Sequence, residues 1–473
     1  MITFIVSLII LLLGYIFYSR FLDRVFGIDQ NRTTPAISMK DGVDYVPLPW
    51  WRIFLIQFLN IAGLGPIFGA VAGAMWGPVA FLWIVLGSVF AGAVHDYFSG
   101  MLSIRHNGWS ITEIIGHYMG KGFKQFARVF TLLLMVIVGV VFVMGPAKIL
   151  DGMTNGITSV TFWVVIVFIY YIMATLLPVD KLIGRFYPVF GFALIFMAIG
   201  ILIMMFVNKM PIPELTAVNF HNMNINSDKF PFFPMMFITI ACGAVSGFHS
   251  SQSPLMARCL TNERLGRRVF YGAMITEAFV AMIWAAIGMS FYGSVKDLNL
   301  VMNEHHGNAA FVVNEICNSM LGKTGGILAL FGVVAAPITS GDTAFRSARL
   351  IIADFLNLNQ GKIKNRILIV IPLFTVGFML TRSEFGIMWR YLAWTNQTLA
   401  TIVLWTITVY LLKSRKIYFI TLIPAVFMTA VIVTYLFFAP EGFRINLNVS
   451  LLIGLSSAAA SAIAFIVYSS VRK

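Results

Sequence analysis

Thirteen apolar segments, each about long enough to cross a lipid bilayer, follow one another along the 473 residues of this chain. A helix rises about 1.5 Å per residue, so about twenty residues cross the hydrocarbon core. Because lipid offers no partner to backbone polar groups, the pattern predicts an all-α integral membrane protein with about 13 transmembrane helices. The predicted spans are 2–19, 52–76, 78–103, 125–145, 159–178, 186–208, 233–254, 267–292, 325–349, 366–381, 391–412, 417–438 and 449–470.

The composition agrees with that class. Hydrophobic residues make up 59% of the chain and charged residues 11%, against about 25% charged in soluble domains. The net charge of +14 comes from basic residues scattered among short loops, so we expect no nucleic-acid partner. We predict a single polytopic domain, residues 1–473, whose N-terminal stretch is a first span and not a cleaved signal peptide. Its expected parts are 1–51 (first span and a cytoplasmic loop), 52–208 and 233–412 (two repeats), and 417–473 (two further spans).

Lysine and arginine are distributed unequally between the two sides that these spans define. Of the 33 basic residues, 25 fall on one side and 8 on the other. By the positive-inside rule the richer side is the cytoplasm, which places the N-terminus outside and the C-terminus inside. If one span had been missed, every basic residue after it would be assigned to the opposite side of the membrane. The steady excess on one side therefore supports both the number of spans and the orientation.

Two of the apolar segments are interrupted near their middle. Residues 60–69 read N-I-A-G-L-G-P-I-F-G, and residues 243–254 read G-A-V-S-G-F-H-S-S-Q-S-P. Glycine and proline weaken a helix, and paired broken spans are typical of transporter substrate sites. The two segments lie five spans apart, an odd number, as two inverted repeats of five helices require. The alternative is that these glycines only let neighbouring helices pack closely.

Both interruptions fall near the bilayer midplane when counted along the helix rise. Half-helix ends at that depth expose backbone N–H groups to an anionic group and carbonyls to a cation. For His249 the alternative is a hydrogen bond between helices. The candidate substrate-binding residues are Ala62, Gly63, Gly65, Pro66, Ser246, Gly247, His249, Ser250, Gln252 and Asn396.

Acidic side chains inside the spans are candidates for proton coupling, because a charge at that depth is costly unless it is neutral, paired or functional. Glu277 lies about 15 Å deep in the eighth span; the alternative is a protonated glutamate that hydrogen-bonds between helices. Asp342 has Arg346 four residues on, so a local ion pair is the alternative there. The candidate coupling residues are Glu277, His249, Asp342, Thr339, Ser340 and Asp96.

Motifs of several other functions are missing from the sequence. It has no Walker A loop, nucleophile elbow, metal-ligand pair or arginine-rich voltage-sensing helix. We therefore expect no catalytic residue, no metal, and no cofactor other than a proton or sodium as coupling ion. Short interfacial helices are predicted near 111–120 and 309–320.

The loop segments F-G-I-D-Q-N-R-T-T-P-A and D-G-V-D-Y-V-P, followed by I-A-G-L-G-P-I-F-G, A-G-A-V-H-D-Y, A-C-G-A-V-S-G-F-H-S-S-Q-S-P and P-I-T-S-G-D-T-A-F, resemble the carbon starvation protein A family. They run from about Phe26 to Phe345, and the chain looks like a short form of that family. The resemblance implies a multi-pass transporter of the bacterial inner membrane with a leucine-transporter-like core.

The resemblance also implies a small-molecule substrate, taken up during nutrient limitation. Members are associated with peptides or with pyruvate, and the pyruvate carriers are proton symporters. Thr339 and Ser340 keep a sodium-coupled amino acid or peptide symporter open as an alternative. A membrane nutrient sensor without transport is a further alternative, and the oligomeric state is left open.

Overall fold

The computed structural model describes residues 1–42, 44–154, 157–176, 179–360 and 363–471. These residues form an all-helical protein. Its helices are α1 (Ile2–Phe26), α2 (Trp50–Ala62), α3 (Gly65–Trp76), α4 (Val79–Arg105), α5 (Ile111–Met119), α6 (Lys121–Met153), α7 (Val160–Leu176), α8 (Val179–Val207), α9 (Phe237–Thr239, preceded by a π-helical turn at Phe232–Met236), α10 (His249–Ala257), α11 (Glu263–Phe291), α12 (Val295–Glu304), α13 (Ala309–Leu356), α14 (Ile363–Leu380), α15 (Phe385–Lys413), α16 (Phe419–Phe438) and α17 (Leu447–Val471).

In the described part of the chain, nine helices are long and apolar enough to cross a membrane, and ten if α2 and α3 form one bent span. Helices also lie at the other predicted spans. Of these, α7 has 17 residues, the seventh span is divided between α9 and α10, and the ninth is part of α13, which has 48 residues. The count of thirteen therefore remains a prediction, while the all-helical membrane class is confirmed.

The two predicted interruptions are real breaks in the helices. Between α2 and α3 the chain bends by 53°, and Gly63 there has φ 41°. In the second break, which runs from residue 240 to 248, Gly243 has φ 86°. Only glycine adopts such backbone angles without steric cost, so each break is fixed by its own glycine.

Both predicted short helices are also present. The first is α5. The second forms the beginning of α13 and is separated from the rest of that helix by a kink at Gly322, where φ is 63°.

Close helix contacts keep the second break in the interior. A Cβ on Gly92 of α4 would lie 2.0 Å from the carbonyl oxygen of Ala244. This helix and the broken segment therefore meet at backbone distance, as small residues allow inside membranes.

The last two helices cover α15. The indole of Trp394 donates to the carbonyl of Ile432 at 3.1 Å, and that of Trp405 donates to the Thr429 hydroxyl at 3.0 Å. Outermost is α17, whose Leu452 is 68% exposed. We infer that α16 and α17 support α15 and leave the interior to the preceding helices.

The orientation of the termini and the domain limits remain predictions. Three residues of the charge count, Lys362, Arg472 and Lys473, lie outside the described residues.

Candidate functional site

The two breaks meet inside the protein. A Cβ on Gly65, at the start of α3, would lie 2.0 Å from the Cβ of Cys242 in the second break. Pro66, the next residue, lies near Gly243, and Ala62 ends α2. Ala62, Gly65, Pro66 and Gly243 are buried, and Cys242 is half-buried. The structure therefore brings the predicted residues of the first break directly against the second.

Side chains of α4 and α15 hold the unwound backbone of the second break. Breaking a helix frees carbonyl groups that lipid cannot satisfy. Three side chains supply the missing donors: Gln397 to Phe237 at 3.1 Å, Trp83 to Ile240 at 3.0 Å, and Ser88 to Gly243 at 2.6 Å. The break is thus a built segment with fixed geometry.

Asn396 completes this support. Its side-chain oxygen accepts from the backbone N–H of Phe248 at 2.7 Å and from the Ser246 hydroxyl at 3.2 Å. Its own carbonyl accepts from the N–H of Gly247 at 3.1 Å. Among the predicted substrate residues, Ser246, Gly247 and Asn396 are therefore engaged with one another, and Asn396 positions the segment.

A buried series of titratable groups lies at the start of α10. Nδ1 of His249 is 2.8 Å from Oδ2 of Asp96, and Nδ1 of His95 is 2.8 Å from Oδ1 of the same carboxylate. On the other side of the ring, Nε2 of His249 is 3.5 Å from Oε2 of Glu277. All four side chains are fully buried. The structure thus brings together three of the predicted coupling residues, Asp96, His249 and Glu277.

This series can hold and pass a proton. Asp96 fixes the orientation of His249 through one ring nitrogen, which leaves the other directed at Glu277. Neither carboxylate oxygen of Glu277 makes a hydrogen bond within the described residues. An ionised carboxylate is costly in such a buried place, so this group is suited to binding a proton.

Cys242 adds a thiol to the same place. Ligand atoms of Cys242, His249 and Glu277 lie within 4.8 Å of one another, a spacing that would admit a metal ion. Among the described residues these three groups meet there, and the contact of His249 with Asp96 favours proton binding.

The remaining predicted coupling residues lie in a second place, along α13. The Ser340 hydroxyl donates to the Leu59 carbonyl at 3.1 Å, and Thr339 donates within its own helix. Asp342 accepts from the Tyr187 hydroxyl at 2.7 Å, while Arg346 donates to the Ala174 carbonyl at 2.6 Å. Within the described residues no hydrogen bond or ion pair joins this group to His249 or Glu277.

Two predicted substrate residues make local hydrogen bonds. The Ser250 hydroxyl donates to the Gly247 carbonyl at 2.6 Å, and the Gln252 amide donates to Ser251 at 2.8 Å. The amide oxygen of Gln252 is buried without a partner in the described part of the chain.

Four polar residues found here were not among the predicted site residues. His95 and Cys242 belong to the titratable series. Gln57 donates to Ser253 at 3.3 Å, and both side-chain polar atoms of Asn60 are buried without a hydrogen bond among the described residues. The available signal for Gln57 and Asn60 was that both polar residues lie within two helical turns of a predicted break.

The space at the junction is small. A cavity of about 20 Å³ lies there, enough for about one water molecule. Residues of both breaks and of α15 line it, among them Gly65, Cys242, Phe248, Trp389 and Asn396. The structure is therefore closed around the junction.

Larger cavities lie on either side of this junction. One of about 450 Å³, called the outer vestibule after the predicted orientation, is lined by Phe68, Trp76, Asn303, Trp389 and Arg390 among others. Trp389 lines both this cavity and the central one, and its ring centroid lies 5.9 Å from that of Phe68. A cavity of about 220 Å³ with a mixed polar and apolar lining lies toward the other end, next to Ser251 and Arg258.

The backbone of this chain is similar to those of two solved transporters. The structure of MhsT in complex with L-phenylalanine aligns with a TM-score of 0.56 and 15% identity, over 86% of this chain and 98% of that one. A mutant of the Eremococcus coleocola manganese transporter aligns with a TM-score of 0.51 and 13% identity, over 92% and 98%. The chain therefore has the leucine-transporter-like fold of two inverted repeats with discontinuous helices.

Within that fold class the family is also defined. The family model "Carbon starvation protein CstA" matches residues 1–165 and 155–283, and the chain belongs to the CstA family. An uncharacterized membrane protein of Haemophilus influenzae is 42% identical over 345 residues, which are 63% of this chain and 93% of that protein.

Two Escherichia coli relatives carry functional names. "Pyruvate/proton symporter BtsT" is 30% identical over 337 residues, covering 59% of this chain and 47% of the relative. "Peptide transporter CstA" is 29% identical over 341 residues, covering 59% and 48%. The chain spans about half the length of these two relatives.

Proposed function

We propose that this protein is a secondary active transporter of the inner membrane, a proton symporter that imports a small carboxylate nutrient, pyruvate or short peptides. The observation that carries the proposal is the fully buried series Asp96–His249–Glu277 beside the junction of the two broken helices. The names of the Escherichia coli relatives support it.

A carboxylate suits the helix ends at the junction. Helices α3 and α10 begin there, at Gly65 and His249. The N-terminal end of a helix carries a partial positive charge, which favours an anion. Substrate binding requires the central cavity to enlarge, since the closed structure holds space for about one water molecule.

The charge on the Asp96–His249–Glu277 series links proton binding to closure of the central cavity. With Asp96 ionised and His249 protonated, the pair is neutral, and an ionised Glu277 leaves one uncompensated negative charge in a closed interior. Protonation of Glu277 removes that charge. One proton on the Asp96–His249–Glu277 series therefore stabilises the closed, substrate-bound form. Release of the proton and the substrate to the cytoplasm completes the cycle.

Sodium coupling is the second candidate, and one contact favours it. The Ser340 hydroxyl lies 3.1 Å from the Leu59 carbonyl, one turn before the first break. A hydroxyl and a freed carbonyl at this position are oxygen ligands of the kind that a hard cation prefers.

Transport by purified protein in proteoliposomes with an internal pH dye tests the proposal. We expect pyruvate or dialanine to acidify the interior in sodium-free buffer, and a collapsed pH gradient to stop accumulation. Uptake that requires sodium and ignores a collapsed pH gradient would instead establish the sodium version.

Replacing Glu277 tests its role. We expect Glu277→Gln to abolish accumulation against a gradient and to retain exchange of internal for external substrate, because the neutral side chain mimics the protonated state. Glu304→Gln, at an exposed position in α12, is the control and should accumulate substrate normally. Normal accumulation by Glu277→Gln would remove Glu277 from the mechanism.

A further inference from the structure

We propose that the outer vestibule is a separate binding site for carboxylate anions, with Arg390 as the anion-binding group. The inference rests on the proposed function for its place in a transport cycle. It concerns a different cavity, about 450 Å³ in volume, between α3, α9, α15 and the loop that joins α12 to α13. Small-molecule sites have volumes of about 300–1,000 Å³.

The charge of the lining points to an anion. The residues that line the cavity include one arginine, Arg390, and one histidine, His306. They include no aspartate or glutamate. Lys148 lies with its ammonium 4.8 Å from the ring centroid of Phe385, which also lines the cavity. Apart from Glu441, the ion-pair partner of Arg390, the ionic groups named here are cationic, which favours an anionic ligand.

Arg390 is held in place by one edge of its guanidinium. Its Nε donates to Oε2 of Glu441 at 3.2 Å, and Glu441 also accepts from the Tyr435 hydroxyl. Glu441 is 7% exposed, whereas Arg390 is 43% exposed. Across the described residues the two Nη atoms make no hydrogen bond. Glu441 and Tyr435 thus position the side chain and leave its terminal donors to solvent.

The terminal donors suit a carboxylate. A guanidinium binds a carboxylate through two parallel N–H···O bonds, which an ammonium group cannot reproduce. Asn224, Asn303 and Tyr435 line the same cavity and add polar residues to it.

The site adjoins the barrier to the central cavity. Arg390 follows Trp389 directly in α15, and Trp389 lines both cavities. An anion bound to Arg390 would therefore lie next to the Phe68–Trp389 ring pair. By the predicted orientation this is the outer side, from which a nutrient arrives.

Arginine footprinting tests the site without requiring transport. The wild-type protein is treated with phenylglyoxal, and adducts at Arg390 and Arg382 are measured by mass spectrometry with pyruvate, dialanine or the neutral ester methyl pyruvate present. We expect pyruvate or dialanine to protect Arg390, methyl pyruvate to give no protection, and Arg382 to react equally in all samples. Equal modification of Arg390 with and without the anions overturns the inference.

Transport kinetics add a second measurement. We expect Arg390→Gln to raise the KM of uptake about tenfold, as the loss of one charge-assisted contact predicts, with the maximal rate little changed. Arg382→Gln removes the same charge from an exposed position eight residues earlier and should leave KM unchanged. An unchanged KM in Arg390→Gln counts against the site.

The two proposals can fail separately. Protection of Arg390 in a protein that shows no uptake would keep the anion site and reject the symporter. Proton-coupled uptake without protection of Arg390 would keep the symporter and reject the vestibule site.

Discussion

Gly65 and Cys242 lie so close that a Cβ on the glycine would be 2.0 Å from the Cβ of the cysteine. They belong to different halves of the chain, one at the start of α3 and the other in the second break. This contact is where the two discontinuous helices join. The titratable series at His249 and Glu277 adjoins it through Cys242.

Enlarging Gly65 should therefore separate the two breaks. We expect Gly65→Ala to destabilise the protein by about 1–3 kcal/mol, the usual cost of overpacking, and to abolish uptake. Thermal unfolding and proteoliposome transport measure the two effects.

Two comparisons make this prediction specific. Gly122→Ala, where a Cβ would meet no atom within 4 Å, should be neutral or slightly stabilising. Adding Cys242→Gly to Gly65→Ala should restore part of the stability because it removes the opposing Cβ, whereas adding Cys242→Ala should not. Equal effects of the two second substitutions would contradict the contact.

Trp389 should act as a barrier between the outer vestibule and the central cavity. We expect Trp389→Ala to speed modification of Cys242 by a small thiol reagent about tenfold, since removing a closed gate shifts the population toward open forms. Peptide-resolved mass spectrometry measures the rate.

Trp394→Ala is the matched control for that experiment. Its indole donates to Ile432 on α16 and lies away from both cavities. Similar labelling rates at Cys242 in the two variants would show that Trp389 does not close the path.

Glu113 on α5 should contribute stability that depends on pH. Burial raises the pKa of this carboxyl, but hydrogen bonds from Lys124 at 2.5 Å and Arg128 at 2.6 Å outweigh it and lower the pKa below its ordinary value of 4.5. The contribution is therefore complete above the unfolded-state value and is lost as the pH falls through the lowered folded-state value.

Glu113→Gln should consequently matter at neutral pH and not in acid. We expect a loss of about 1 kcal/mol near pH 7, because the group is partly exposed and screened, and no difference from the wild type once the pH is below the folded-state pKa. Thermal unfolding of both proteins across that range is the measurement. A constant difference at every pH would assign the effect to something other than the ion pairs.

Much of the architecture follows from local sequence patterns. Apolar runs predict helices because lipid enforces internal hydrogen bonding, and Gly63 and Gly243 predict breaks because only glycine adopts their backbone angles freely. The odd number of spans between the breaks predicts their inverted relation. Glu277 could be selected as a candidate from its depth alone.

Partners of the polar groups could not be read in this way. The sequence offered Asp342 as a coupling residue or as a local partner of Arg346, and it could not show that the hydroxyl of Tyr187, 155 residues away, donates to the same carboxylate. Asn396 as a substrate ligand stays a prediction, and its support of the backbone of the second break was not foreseen. Such contacts depend on how the helices rotate and shift against one another, which hydrophobicity does not specify.

The sequence by itself determined the helical membrane class, the two breaks and the presence of a buried acid, because each depends on residues within one or two turns. Tertiary structure alone decided that Asp96 and His249, 153 residues apart, share a hydrogen bond, and that the junction is closed to about 20 Å³. Those features arise where helices from the two halves pack together, and packing joins residues that local periodicity cannot relate.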